Sequence, residues 1–525
     1  MILNLVLAAL LSALPPPETK KDEFVFNNRA EPESLDPAFA TGVPDNTIIV
    51  QMFEGLLTRK NDWVTLAPGM AESYTISKDQ KIYTFKVRKG LKWSDGSPLN
   101  AKDFEYSWLR AIDPKTNATY AYWLTDNVVG AAEYNKTPTA EVAKKVGIKA
   151  TDDYTFVVTL KQPVTYFLSL TAESLLYPVK KETVEKFKDQ WTRPENIVSN
   201  GAYKMTYWKV QDRIVMEKNP NYYAADTVQI KKVVALPIED RQTGVNLFQQ
   251  GKLDWSGQNG APNSLVPSLK KDPNFRLFPG TITYYYWFNT TKKPLNDIRV
   301  RQALTLAIDR KSIVEKVTRG GEMAADHLVS QNMGDYKSPK GVTSGDYAAD
   351  VKKAKDLLAQ AGFANGKGFP ELNLLYNSDE NHKKLAQAIS QMWKKELGIE
   401  VKPFNQEWKV YLATQRDMAF DISRAGWAAD YADPNTFLEL LLSTSENNHS
   451  GWKNAKYDEL LKTANSMPAG AKRNELLSQA ESMILNEVPM APIFTYTNFG
   501  FMRPEIAGYT GNLIDRPYIK YMSKK

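Results

Sequence analysis

The sequence contains no cysteine, and this absence excludes several classes of protein at once. Without thiols there is no disulfide framework, no cysteine nucleophile, no cysteine-ligated metal and no cysteine to carry a lipid. Histidine is almost as scarce, since the 3 histidines, His327, His382 and His449, are far apart and match no metal-binding spacing such as H-E-x-x-H. We therefore predict neither a metal site nor a cofactor.

Sequence motifs of nucleotide-binding and hydrolytic enzymes are missing as well. The chain has no Walker loop, no G-x-S-x-G elbow and no G-x-G-x-x-G fingerprint. Long basic runs are also absent: the net charge of +7 is the difference between 67 basic and 60 acidic residues spread along the chain. This distribution is typical of a solvated surface, so we predict no nucleic-acid partner.

Length and composition are those of a soluble globular protein with more than one core. A chain of 525 residues is too long for a single hydrophobic core, so two or three lobes are expected. Of its residues, 42% are hydrophobic and 24% charged, which is an ordinary globular balance. The 12 Trp and 26 Tyr mostly fill cores, but such rings also line sites that hold varied ligands.

The N-terminus reads M-I-L-N-L-V-L-A-A-L-L-S-A-L-P-P-P, an apolar run closed by Ser12-Ala13 and three prolines. Such a run suits the core of a signal peptide and is too short to span a bilayer. It lacks the usual Lys or Arg before the core, and an N-terminal helix or a wrongly assigned start are the alternatives. We predict a signal peptide over residues 1–21 and a soluble, exported, periplasmic protein without a lipid anchor.

The segment from Arg424 to Asp433, R-A-G-W-A-A-D-Y-A-D, concentrates what a site for a charged, chain-like ligand needs. In an extended segment Trp427 and Asp430 point to opposite faces, so an apolar wall and a carboxylate are presented separately. Gly426 and Ala428 leave room for a second backbone. A peptide with a free amino terminus fits this pattern. The alternative is a strand end with a core tryptophan and a turn aspartate before Pro434.

A second aromatic segment, T-I-T-Y-Y-Y-W-F-N-T, covers residues 281–290. As a strand it places Tyr284, Tyr286 and Phe288 on one face and Tyr285 and Trp287 on the other. Both faces cannot be exposed to solvent. We predict that one face packs in its own lobe and that Tyr285 and Trp287 reach a ligand cleft, with core packing as the alternative.

R-A-G-W-A-A-D-Y closely resembles the R-A-G-W-C-A-D-Y segment of periplasmic oligopeptide-binding proteins, the receptors of ATP-driven peptide importers. Further stretches agree with that family in the same order along the chain: S-L-D-P from Ser34, F-E-G-L-L from Phe53, K-W-S-D-G-S-P from Lys92, N-G-A-Y from Asn200, N-D-I-R-V-R-Q-A-L from Asn296, L-L-Y-N from Leu374 and N-Q-E-W-K from Asn405. The resemblance covers residues 24–525. It implies an α/β, bilobed, type II periplasmic-binding-protein fold in its large three-domain variant, with a ligand cleft between lobes.

The resemblance also implies domain boundaries and site residues. Domain I is expected to combine residues 22–57, 181–281 and 497–525, domain II residues 58–180, and domain III residues 282–496. Asp430 is expected to bind the amino group of the peptide. The remaining ligand-contacting residues carried over by position are Trp427, Gly426, Arg424, Ala428, Trp408, His382, Tyr285, Trp287, Tyr120, Val43 and Arg416.

Some of these assignments have competing interpretations. His382 is placed beside the ligand's carboxyl end, or else it only caps its helix. Arg424 offers a guanidinium fork to a carboxylate, or else it pairs with Asp430 or Asp433. The family's basic residue near Arg416 aligns with Gln415, so the arginine is displaced by one position.

Two departures from the family pattern bear on specificity, because Thr41 and Trp287 occupy positions that are acidic in many relatives.

The sequence as a whole predicts a monomeric receptor, not an enzyme, that encloses short extended peptides by lobe closure and delivers them to inner-membrane permease subunits. Receptors for dipeptides, murein tripeptide, nickel or haem are the alternatives within the family. A peptide or glycan hydrolase is the remote alternative.

Overall fold

The computed structural model describes residues 19–331 and 333–525, so residues 1–18 of the predicted signal peptide lie outside the described part. The strands are β1 Glu23–Asn27, β2 Leu57–Arg59, β3 Leu66–Pro68, β4 Ala71–Ile76, β5 Ile82–Val87, β6 Ile148–Asp152, β7 Thr155–Thr159, β8 Tyr203–Lys209, β9 Arg213–Lys218, β10 Lys232–Leu236, β11 Phe275–Phe288, β12 Met323–Ala324, β13 Leu372–Asn377, β14 Val401–Gln406, β15 Ile422–Ala428, β16 Met490–Phe501, β17 Ile506–Ala507 and β18 Ser523–Lys524.

The helices are distributed along the whole described chain. They are α1 Val43–Met52, α2 Ala101–Ala111, α3 Tyr122–Thr125, α4 Ala131–Lys136, α5 Ala140–Ala143, α6 Phe167–Leu170, α7 Lys181–Phe187, α8 Arg241–Gln249, α9 Val266–Leu269, α10 Ile298–Leu306, α11 Arg310–Ser312, α12 Tyr347–Gln360, α13 Glu380–Leu397, α14 Trp408–Arg416, α15 Asn435–Leu438, α16 Ala455–Asn465 and α17 Ala471–Glu487. Within residues 19–331 and 333–525, no helix combines the length and the apolar character needed to cross a membrane.

Two compact units divide the chain. Of the described residues, unit 1 comprises 19–262, 268–278 and 498–525, and unit 2 comprises 263–267, 279–331 and 333–497. The chain passes from one unit to the other within β11 and again within β16. The three-domain division that the resemblance implies stays a prediction.

Unit 1 contains two four-stranded sheets. One has the order β1-β10-β9-β8 with β1 parallel to β10, and the other has the order β4-β5-β7-β6 with antiparallel neighbours. In β5 the residues Tyr83, Phe85 and Val87 are buried in alternation, as the sequence of that strand predicts. Asn100 caps the N-terminus of α2 and forms a reciprocal capping box with Asp103.

Unit 2 is built on a six-stranded mixed sheet with the order β12-β16-β11-β15-β13-β14. The predicted β-α-β succession is present, since β13 and β14 are parallel and α13 connects them. Asp379 caps the N-terminus of α13 through its side chain, and Gly398 ends the helix in the left-handed conformation with φ of 71°.

The core of unit 2 confirms one of the two faces predicted for β11. Tyr284, Tyr286 and Phe288 are fully buried in one cluster with residues of α10, α12 and α13. Trp393 of α13 lies in the same cluster, and its indole N–H donates to the carbonyl of Leu304 over 2.7 Å. This polar contact satisfies the only donor of a buried indole ring.

Candidate functional site

The candidate site is organised by the antiparallel pairing of β11 with β15. Thr283, Tyr285 and Trp287 of β11 lie opposite Trp427, Ala425 and Ser423 of β15, while Tyr284 and Tyr286 lie opposite Gly426 and Arg424. Opposite residues share a face, so Trp427 belongs to the Tyr285–Trp287 face and Arg424 belongs to the core-side face. Arg424 and the ring of Trp427 therefore lie on opposite sides of the sheet.

The strand β15 ends at Ala428, and Asp430 lies in the bend that follows. The backbone N–H of Asp430 donates to the hydroxyl of Thr436 over 2.9 Å. The indole N–H of Trp427 donates to the carbonyl of the same threonine over 2.7 Å. Thr436 is fully buried at the start of α15 and so fixes both predicted ligand contacts with one residue.

Two further contacts clamp the bend. Arg473 of α17 forms a bidentate pair with Asp433, with both N–O distances 2.8 Å. Glu439 accepts hydrogen bonds from the hydroxyl of Tyr431 and the side-chain amide of Asn435. A buried, doubly bonded carboxylate–guanidinium pair holds a loop in one conformation. The turn that presents Asp430 is therefore preformed.

Sequence reasoning missed Thr436, Glu439 and Arg473. Thr436 and Glu439 directly follow the Asp-Pro turn, where capping side chains are common, and this local signal could have identified them. Arg473 is remote in sequence, and no local pattern joins it to Asp433.

Gly426 and Ala428 are half-buried in β15, where small side chains were expected to admit another backbone. A Cβ atom at Gly426 would have its nearest neighbour 3.4 Å away, on the guanidinium of Arg424. That is ordinary van der Waals contact, so the fold itself does not require glycine at this position. A requirement imposed by a ligand is consistent with this tolerance.

Arg424 lies on the core-side face of β15 and is held by neutral partners. Its guanidinium donates to the side-chain oxygen of Asn377 over 3.1 Å and to the hydroxyl of Tyr496 over 3.0 Å, and it lies 5.0 Å from the ring centre of Tyr284. Among the described residues its buried Nε has no hydrogen-bond partner. The alternative that Arg424 pairs with Asp433 is wrong, because Asp433 pairs with Arg473.

His382 packs on the same tyrosine as Arg424. It is the third residue of α13, and its ring centre lies 5.6 Å from that of Tyr284. The alternative that His382 caps the helix is wrong, since the side chain of Asp379 accepts the first-turn N–H groups, including that of His382. The tyrosine ring thus joins His382 and Arg424 into one predicted carboxylate-binding group.

Trp408 begins α14, directly after the capping residue Glu407. Its ring stacks on Tyr411 with centroids 5.5 Å apart, and within the described chain its buried indole N–H has no acceptor. Gln415 of the same helix is buried and donates to the carbonyl of Arg424 over 2.9 Å, whereas Arg416 is exposed. The displaced arginine and the buried glutamine therefore face different directions on α14.

Tyr285 and Trp287 form an edge-to-face pair with centroids 4.9 Å apart. Both are almost completely buried, at 2% and 1% exposure. His449 lies beside Trp287 at 6.4 Å, and burial together with the nearby Arg416 cation lowers the pKa of His449 to about 4. The imidazole is therefore neutral at physiological pH, so the Tyr285–Trp287 pair has an uncharged ring beside it.

Val43 and Tyr120 belong to unit 1. Val43 is the first residue of α1, where backbone N–H groups have no intrahelical acceptor. Tyr120 is buried and packs on Trp123 with ring centres 4.2 Å apart. The predicted ligand contacts of both residues stay predictions, as do those of the unit 2 residues.

The chemistry of the unit 2 site suits binding. A carboxylate, a guanidinium and half-buried indole rings can pair with charged termini and pack against side chains. Over residues 19–331 and 333–525, no group of three His, Asp or Glu side chains is placed to hold a metal ion.

Comparisons with known proteins were made for the whole chain. The family described as bacterial extracellular solute-binding proteins, family 5 Middle, matches residues 65–449. The periplasmic oligopeptide-binding protein of Salmonella typhimurium is 40% identical over 95% of this chain and 92% of its own length. The oligopeptide-binding protein of Bacillus subtilis is 39% identical over 90% of this chain and 87% of its own length.

Solved structures give the same result. The crystal structure of the Haemophilus influenzae oligopeptide-binding protein in complex with the peptide RPPGFSPFR has a TM-score of 0.91 at 34% identity, covering 96% of this chain and 99% of that one. The murein tripeptide-binding protein of Escherichia coli also has a TM-score of 0.91, at 35% identity, covering 96% of this chain and 99% of that one.

Proposed function

Because the chain belongs to the family 5 bacterial extracellular solute-binding proteins, we propose that it captures short peptides in extended conformation and delivers them to the permease of an ATP-binding-cassette importer. The observation that carries the proposal is the clamped turn after β15, which fixes Asp430 at a defined position beside Trp427. A fixed carboxylate recognises the amino group that every unmodified peptide carries. Side-chain identity then matters less than the terminus.

Arg424 limits the length of peptide that this site holds by both ends. Asp430 is six positions after Arg424, so their Cα atoms are at most about 22 Å apart even in a fully extended chain. A peptide whose amino group pairs with Asp430 and whose carboxylate pairs with Arg424 must be short. Longer peptides would place their carboxylate elsewhere, beyond His382 or in solvent.

Several finer features belong to the same proposal. The protein is a monomeric, periplasmic receptor with no enzymatic activity of its own, and it closes its lobes around the peptide. Tyr285, Trp287 and Trp408 line side-chain pockets, Ala428 and Gly426 admit the peptide backbone, and Val43, Tyr120 and Arg416 add contacts. Roomy aromatic pockets hold varied side chains, which supports broad specificity.

Native mass spectrometry and calorimetry test the proposal. Protein purified without denaturation should carry a ladder of short peptides, and an unmodified tripeptide should bind while its N-acetylated form binds far more weakly. Recovery of cleaved tripeptide after incubation would instead support a hydrolase. Equal affinity for the acetylated and free forms would contradict recognition of the amino terminus. Binding of a nickel chelate or haem, and of no peptide, would assign the chain to another ligand class of the family.

A further inference from the structure

Unit 2 contains a cavity of about 250 Å³ that involves none of the predicted peptide contacts. Its walls come from the C-terminal end of α10, from residues 340–344, and from α12 and α17. A cavity of this size holds several water molecules, since one water occupies about 30 Å³ of liquid. It is smaller than most pockets for drug-sized ligands, so it is suited to a small molecule and not to a peptide.

The wall formed by residues 340–344 is fixed by two carboxylates. Both oxygens of Asp350 accept the backbone N–H of Ser344, at 2.9 and 3.2 Å, and Asp326 accepts the hydroxyl of Thr343 over 2.6 Å. A Cβ atom at Gly341 would come within 2.1 Å of the Asp326 carboxylate, so a larger residue there would displace that side chain. The cavity is therefore bounded on one side by a segment that two carboxylates hold in place.

Three side chains that line the cavity have unused hydrogen-bond donors. Lys340 and Lys353 are exposed lysines that form no ion pair with any described residue. Thr305 is fully buried, and its hydroxyl has no hydrogen-bond partner within residues 19–331 and 333–525. A buried hydroxyl without a partner costs free energy, which a bound acceptor would recover.

The balance of charge favours an anion as that acceptor. Lys340 and Lys353 contribute two positive charges, while Asp350 contributes one negative charge whose oxygens are occupied by Ser344. We propose that this cavity binds a small oxyanion, a phosphate or a short carboxylic acid, through the two ammonium groups and the Thr305 hydroxyl. This site is independent of the peptide site, and the proposal does not depend on the function proposed above.

The test is calorimetric titration of the full chain, at constant ionic strength held with chloride, with inorganic phosphate in one arm and malonate in the other. The wild type should bind at least one of these anions at one site, and the arm that saturates identifies the source of the oxyanion. Lys340→Ala combined with Lys353→Ala should weaken this binding by roughly 3-fold to 30-fold, the range expected for two exposed charge pairs. Thr305→Val should weaken it too, and Thr305→Ser should restore it.

A matched control separates a site from general surface charge. Lys337 precedes residues 340–344 and Lys352 belongs to α12; both are exposed lysines, but they do not line the cavity. Changing both to Ala removes the same net charge and should leave anion affinity within about twofold of the wild type. Two outcomes would overturn the proposal: no saturable binding of either anion to the wild type, or equal loss of binding in the two double variants.

Discussion

Asp430 and Thr436 have separate tasks in the turn after β15, one carrying charge and the other holding position. The bond to Thr436 is made by the backbone N–H of Asp430, so it fixes the position of the residue without using its carboxylate. The motif predicted the charge-bearing residue from sequence. The residue that fixes it could be recognised only when the chain was seen to fold back on itself over 6 residues.

The first prediction concerns the charge of Asp430. In an enclosed site, removing the anionic partner leaves the peptide ammonium buried and unpaired, at a cost of roughly 2 to 5 kcal/mol. Asp430→Asn should therefore weaken a tripeptide by about 30-fold to a few thousand-fold. N-acetylation of the tripeptide should weaken its binding to the wild type by a similar factor.

The control is the combination of both changes, measured by titration calorimetry on the four pairs. Each change removes one side of the same contact, so together they should cost much less than the sum of the two. Simple addition of the two losses would mean that Asp430 acts elsewhere in the protein.

The second prediction concerns the position of Asp430, which the hydroxyl of Thr436 holds. Thr436→Val keeps the size of the side chain but removes the hydroxyl that accepts the Asp430 N–H, so the turn should lose its fixed geometry. Affinity for a free tripeptide should fall by roughly 3-fold to 10-fold. Thr436→Ser should restore it. Calorimetry with the N-acetylated tripeptide distinguishes misplacement of Asp430 from a general structural defect. A general defect would weaken binding of the free and the acetylated tripeptide by the same factor.

At the level of elements, the sequence predicted helices and strands well wherever periodic patterns met ordinary caps. The helix α13 is an example, with Asp379 before it and Gly398 after it. The segment from residue 297 through 317 has one apolar stripe, at Val300, Leu304, Ala307 and Ile308, but it is not one continuous helix. The helix α10 ends at Leu306, and Asp309 caps a new helical turn by accepting the N–H of Ser312. An aspartate inside an apolar pattern was the available signal.

Gly55 follows an apolar segment but does not end its helix. The helix α1 spans Val43–Met52, and Gly55 lies beyond it. A Cβ atom at Gly55 would lie 2.3 Å from the carbonyl oxygen of Thr171, so this glycine serves a close backbone approach and does not end a helix. A contact between residues so remote in sequence leaves no periodic trace in either segment.

The third prediction belongs to α1. Asp45 lies in its first turn and is almost fully buried; one oxygen accepts the N–H of Ser34 over 2.8 Å, and the other has no partner among the described residues. A helix N-terminus favours an anion by only about 0.3 to 1 kcal/mol. Burial outweighs this, and with the nearby Glu33 it raises the pKa of Asp45 to about 7.

A raised pKa on an acid means that the folded state binds the proton more tightly than the unfolded state, whose value is about 3.9. The stability that Asp45 contributes is therefore complete below about pH 4 and is lost as the pH rises through about 7. At pH 8.5 the free energy of unfolding of Asp45→Asn, measured with urea, should exceed that of the wild type by about 2 to 4 kcal/mol. At pH 4 the two free energies should differ little. Exposed Asp189→Asn is the control. Identical pH dependence in the wild type and Asp45→Asn would contradict the assignment.

At the scale of the whole molecule, the resemblance supplied what physical patterns could not. Composition predicted only more than one core, whereas the division into two units interleaved along the chain depends on where β11 and β16 pass from one unit to the other. Such crossings follow from tertiary packing and have no local signature. The register of β11 against β15 was equally inaccessible, although the alternation of faces within each strand was predicted.

The last prediction uses the size of the cooperative unit. A peptide that binds only the native protein adds about 2.7 kcal/mol at one hundred times its dissociation constant. With an unfolding entropy of about 2.1 cal/mol/K per residue, the whole chain would gain about 2 to 3 °C in melting temperature, and unit 2 unfolding alone would gain about 6 °C. Calorimetric scanning with a saturating tripeptide distinguishes these cases, because a ligand held by unit 2 alone should move only one of two transitions. Asp430→Asn should abolish the shift at the same peptide concentration. No shift in the wild type, at a concentration where titration shows saturation, would mean that the peptide binds folded and unfolded chains alike and would contradict a built peptide site.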